Sequence, residues 1–169
     1  MIKERVLNAL NDQINAEQYS ALLYLSMSAW FEEKGLPGFA NWMYVQYQEE
    51  LIHANKFFKY VVSRNSKVRL KAIEQMPVEF ESIVEVVEKS LQHEQHVTSL
   101  INNIVDIANE ERDHATQSFL QWFVDEQVEE EANVTEILDS LRLIEGDAKG
   151  NGLFMLDREL RQRTLAIEE

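Results

Sequence analysis

Few residues in this chain would interrupt a helix. Pro37 and Pro77 are its only prolines, and five glycines are spread over 169 residues, so long helices can run through most of its length. Apolar residues recur at three- and four-residue steps in four long stretches. That spacing predicts helices over about 3–33, 37–65, 81–109 and 112–145, and a short fifth over about 153–161. Gly35 suits the C-terminal cap of the first helix and Pro37 the first turn of the second. Residues 66–80 lose the helical period, contain Pro77 and are long for a turn between neighbouring antiparallel helices. They are expected to cross over along the bundle. The fold class is therefore all-α: a four-helix bundle with a long crossover between helices 2 and 3 and a short fifth C-terminal helix. The four long helices would each extend about 40 to 50 Å. A chain of this length and 45% hydrophobic content is expected to form one domain over 1–169.

The stripes that should face the core are not wholly apolar. Glu17 follows Leu10 and Ile14 on the first. Glu50 and His53 lie between Met43 and Phe57 on the second, Glu94 between Leu91 and Ile101 on the third, and Glu130 between Phe123 and Val134 on the fourth. Each lies near the midpoint of its helix, so antiparallel packing would bring all of them to one depth. An unpartnered ionised carboxylate costs several kcal/mol to bury, against a whole-domain stability of about 5 to 15 kcal/mol. The stripes offer no Lys or Arg at that level. Bound cations are the economical compensation. Glu50 and His53, three residues apart, share a helix face and can grip one ion. Glu17, Glu50 and His53 would make one metal position, and Glu50, Glu94 and Glu130 a second, with Glu50 bridging. An oxygen-rich set with one imidazole suits iron or manganese and also accepts zinc.

Other residues around this set are open to two readings. Glu126 shares a face with Glu130 at i and i+4, and with Glu49 and Glu129 it could form a weaker third cation position, or the three could be a solvated acidic face. Tyr24, seven residues after Glu17, is either a core aromatic or a phenol that bonds a ligand or donates an electron. Gln127 is either a hydrogen-bond partner behind the ligands or a surface amide. Trp122 is expected to pack. His93 and His96 point away from the Glu94 stripe by about 100° and 200°; with His114 they are expected at the surface or an interface, without metal.

Thirty acidic against sixteen basic residues give a net charge of -14, which disfavours nucleic acid and anionic membranes and attracts cations. Without cysteine, thiolate metal sites and iron–sulfur clusters are excluded. The first residues resemble neither a signal peptide nor a membrane span, so a cytoplasmic location is expected.

Asn11-Asp12-Gln13-Ile14-Asn15-Ala16-Glu17, Phe39-Ala40-Asn41-Trp42-Met43, Glu49-Glu50-Leu51-Ile52-His53-Ala54 and Glu126-Gln127-Val128-Glu129-Glu130-Glu131-Ala132 together resemble the non-haem ferritins of bacteria and archaea. Ferritin-like di-iron bundles are the standard example of a bundle with one long crossover and Glu-x-x-His ligands. Here the second Glu-x-x-His of symmetric centres is replaced by Gln127-x-x-Glu130, as in the asymmetric ferroxidase centre of ferritins. Leu51 stands where bacterioferritins carry a haem-ligating methionine, which implies no haem. The resemblance implies a hollow homo-oligomeric shell of 24 subunits. Fe(II) would be oxidised by oxygen or peroxide at a two-iron ferroxidase centre and stored as an Fe(III) mineral. Its rivals are a rubrerythrin-like di-iron peroxidase or oxygenase, and a helical scaffold without metal whose acidic residues pair with a partner's basic groups.

Overall fold

The computed structural model describes residues 1–146 and 150–166. Its helices are α1 (Glu4–Glu33), α2 (Pro37–Ser63), α3 (Ile83–Glu110), α4 (His114–Leu143) and α5 (Asn151–Leu160). Each boundary falls within two residues of its expected position. The part of the expected link at 147–149 lies outside the described residues.

The turn between α1 and α2 is built as the sequence suggests. Gly35 takes φ +71°, its amide bonds Glu32 O at 3.1 Å, and the Leu36 amide bonds Phe31 O at 3.0 Å. Those two bonds satisfy carbonyls that the helix end leaves unpaired. Pro37 then opens α2, where its missing N–H costs nothing. The α3–α4 turn uses no glycine. Arg112 adopts the left-handed conformation at φ 55°, the Asp113 amide bonds Ala108 O at 2.9 Å, and the Asp113 carboxylate accepts from the Thr116 amide at 3.2 Å to start α4.

Residues 64–82 run back along α1. The amide of Arg69 bonds Asn11 Oδ1 at 2.6 Å, Ser26 Oγ donates to Pro77 O at 2.6 Å, and Phe80 packs edge-on against Trp30 with centroids 5.7 Å apart. Carrying the chain from the start of α1 to its end, this crossover makes α3 parallel to α2 and antiparallel to α1. At its far end Ser82 accepts from the Glu85 amide and caps α3.

Two apolar clusters fill the bundle. One gathers Tyr24, Phe31, Phe39, Met43, Val86 and Leu138 at one end, and the other Leu10, Phe57, Ile101, Leu120 and Phe123 at the opposite end. Between them, at mid-height on all four helices, lies a buried polar layer. The amphipathic α5 lays Leu156 and Leu160 against the first cluster and leaves Phe154 and Met155 exposed. No described helix is long and apolar enough to cross a membrane.

Candidate metal centre

The polar layer contains Glu17, Glu50, His53, Glu94 and Glu130, all between 0% and 4% exposed. The helical period places each of them inward, as the stripes predict. Among the described residues, two groups have donor atoms that all lie within 4.8 Å of one another: Glu17, Glu50 and His53, and then His53, Glu126 and Glu130. The first is the expected position. The second joins His53 and Glu126 to Glu130 and is distinct from the expected set of Glu50, Glu94 and Glu130; His53 is common to both groups.

Hydrogen bonds hold the carboxylates from behind. Gln13, one turn before Glu17 on α1, donates to Glu17 Oε1 at 2.8 Å. Gln46, one turn before Glu50 on α2, donates to Glu130 Oε2 at 2.9 Å. Gln127 donates to Glu94 Oε2 at 3.2 Å and lies 3.3 Å from Thr98 Oγ1. The Tyr24 hydroxyl donates to Glu94 Oε1. Tyr24 is thus both a core aromatic and a partner of the cluster, and Gln127 is a buried amide rather than a surface one.

Glu17 Oε2 and Glu50 Oε2 are buried without a hydrogen-bond partner, the latter with His53 Nδ1 3.4 Å away. Two carboxylate oxygens facing each other's charge in a dry interior are costly unless a proton or a cation sits between them. Burial pushes Glu17 well above the usual carboxylate range, and the Glu50 charge adds to it. Glu50 is raised by burial and by the Glu94 charge. Burial and the Glu130 charge raise Glu94 to about 8, and Glu130 is raised chiefly by burial. Burial, then the Glu94 charge, pushes the Tyr24 phenol up as well. A divalent ion would reverse each of these shifts by supplying the missing positive charge.

The residues expected to form a third position separate. Glu126 joins the second group, Glu129 is exposed and joins neither, and Glu49 is engaged by Arg163, whose Nη2 lies 2.6 Å from Glu49 Oε2. Arg163 also donates to Gln46 Oε1. It was not identified from the sequence, because it follows α5 and no helical spacing links it to α2.

His93, expected at the surface or an interface, is half-buried against α1. Its ring packs against both Tyr19 and Tyr24, with centroids 5.9 and 6.1 Å away, and Nε2 lies 2.7 Å from Ser20 Oγ. Burial, with the nearby charge of His96, lowers its pKa to about 4. Bundle helices are wide enough that a position one step off the core stripe still packs against a neighbour. His96 and His114 are exposed, as expected. Trp122 packs edge-on to His53, with centroids 5.4 Å apart.

Known proteins resemble this chain along nearly its whole length. The ferritin family model, a ferritin-like domain, matches residues 7–144. The bacterial non-heme ferritin of Bacteroides fragilis strain 638R is 45% identical over 163 residues, covering 96% of this chain and 100% of that protein. A probable bacterial non-heme ferritin-like protein of Haemophilus influenzae is 42% identical, covering 95% of this chain and 96% of its own length. Among solved structures, an open pore ferritin from the hyperthermophilic archaeon Archaeoglobus fulgidus superposes with a TM-score of 0.94 at 49% identity, covering 97% of this chain and 100% of that one. Fold and sequence are similar over nearly the whole chain, and the chain belongs to the ferritin family.

Proposed function

We propose that this chain is the subunit of an iron-storage protein that oxidises Fe(II) within its own bundle and deposits Fe(III) inside a hollow homo-oligomeric shell. The observation that carries this reading is the buried cluster with two three-donor groups and two unpartnered carboxylate oxygens, Glu17 Oε2 and Glu50 Oε2. In this proposal Glu17, Glu50 and His53 hold one ferrous ion. Glu94 and Glu130 hold the second, Glu50 bridges the pair, and Glu126 takes iron leaving the centre.

Iron is the substrate here. Each ferrous ion gives up one electron, and the two electrons with two protons reduce one dioxygen to hydrogen peroxide. Carboxylates suit this step because hard anionic oxygen stabilises Fe(III) more than Fe(II) and can shift between one-ion and bridging modes. Gln13, Gln46 and Gln127 keep those carboxylates oriented without adding charge. Tyr24, bonded to Glu94, would relay one of those two electrons, its phenol giving the electron up and regaining it from an iron.

The shell is proposed with 24 subunits, cytoplasmic, without haem. It is supported by the family, by the ferritins this chain superposes on, and by apolar Phe154 and Met155 left exposed on α5. The ligand assignment is tested with Glu50→Ala/His53→Ala, whose initial aerobic Fe(II) oxidation should fall by about two orders of magnitude. An unchanged rate would place oxidation elsewhere. A di-iron peroxidase or oxygenase would oxidise iron without accumulating it, and a metal-free scaffold would do neither.

A further inference from the structure

Arg163 is held where a flexible surface arginine would not be. Its carbonyl accepts from Asn41 Nδ2 at 3.0 Å, its guanidinium lies 4.4 Å from the Trp42 ring centroid, and its side chain is 19% exposed. From there one nitrogen, Nη2, reaches both Glu49 Oε2, at 2.6 Å, and Gln46 Oε1. With Gln46 Oε1 engaged, its amide nitrogen faces Glu130 Oε2 at 2.9 Å. One guanidinium is thus two hydrogen bonds from a carboxylate of the second donor group and in direct contact with the glutamate preceding Glu50.

We propose that Arg163 is a positioning residue of the metal centre: it withholds Glu49 from a cation bound by His53, Glu126 and Glu130, and holds Gln46 as a donor to Glu130. This rests on the reading of that group as a metal position. Glu49 feels the charges of His53 and Glu126 as well as that of Arg163, so its carboxylate is within electrostatic reach of the group. The Arg163 charge also acts on Glu130. A guanidinium and a divalent ion cannot both take the full charge of one carboxylate at close range, because they repel each other. While Arg163 holds Glu49, an ion at the second group has three protein donors; freed, Glu49 becomes a fourth. The arginine therefore keeps that ion weakly held, which suits a position that iron must leave.

The test is anaerobic calorimetric titration of the full-length protein with Zn(II), which binds oxygen and imidazole donors without redox chemistry. Arg163→Gln should bind the weaker ion about tenfold more tightly, and Arg163→Gln/Glu49→Gln should lose that gain. Arg163→Lys, which keeps the charge, should stay close to the unmodified protein. Loosening of the structure would weaken binding, so a gain that depends on Glu49 separates positioning from a structural role. Unchanged or weaker binding in Arg163→Gln, or a gain that survives Glu49→Gln, overturns the proposal. An unmodified protein that takes up no Zn(II) overturns the metal centre itself and this proposal with it, whereas two bound ions with no effect of Arg163 overturn this proposal alone.

Discussion

Glu50 shows the conflict at the centre of this molecule: a residue that costs stability is kept where an alanine would pack. A buried glutamate whose folded pKa is raised favours folding fully only below its unfolded value of 4.5, and that contribution is lost as pH rises through the folded value, about 8 for Glu94. His93 has the opposite sense. Its folded pKa is lowered to about 4 from 6.5, so its contribution is present above 6.5 and lost as pH falls toward 4. The interval from pH 6.5 to 8 therefore isolates the carboxylates. In chelator the melting temperature should drop by several degrees across it, and Zn(II) should restore more at pH 8 than at pH 6.5, because metal and protons compete for the same oxygens. A flat melting curve would show that these carboxylates are not held protonated in the metal-free protein. By the same logic Glu50→Gln, which removes a buried charge while keeping its shape, should raise the metal-free melting temperature at pH 8 and weaken metal binding at least tenfold. At this scale the sequence was informative wherever periodicity applies: Glu17, Glu50, His53, Glu94 and Glu130 were legible as misplaced charges on apolar stripes. Spacing could not reveal that Glu126 joins His53 and Glu130 in a donor group of its own. That depends on the rotamers of side chains on different helices.

Among the elements, α5 is fastened through a contact that no helical pattern announces. The Asp157 carboxylate accepts from the amides of Gly38 and Phe39 at 2.8 and 3.0 Å, capping α2 from a helix more than a hundred residues later. Leu36, at the N-cap position itself, offers no side-chain acceptor. Asp157 thereby satisfies two of the orphan donors of α2 and places negative charge at its positive end. Gly38 makes this approach possible, since a Cβ there would fall 1.6 Å from Asp157 O. Gly38→Ala should therefore displace α5 and lower stability by about 2 kcal/mol or more, and Asp157→Ala by about 1 to 2 kcal/mol, both read by denaturant unfolding. Equal stability in Gly38→Ala would mean that α5 is not docked there in solution. The α1–α2 turn was readable from Gly35 and Pro37. The α3–α4 turn had no such mark, because Arg112 holds its left-handed conformation through the bonds that close α3 and the cap Asp113 gives α4.

In the whole molecule, the polar layer sits between two apolar halves, so the cluster is rigidly held by cores above and below it. This layering follows from helix count, phase and crossover, all of which were visible in the sequence. The charge of -14 adds a field that draws cations toward the protein. What periodicity does not encode is assembly: it says nothing of what covers faces left exposed on the single chain, such as Phe154 and Met155 of α5. Storage, unlike oxidation alone, needs an enclosed volume, and the two can be separated by how much iron stays with the protein. The decisive measurement is iron retained per subunit in the size-fractionated native particle after aerobic Fe(II) loading. Iron storage through this centre predicts on the order of hundreds of atoms per subunit, travelling with a large assembly. About two atoms per subunit, or none, would contradict it.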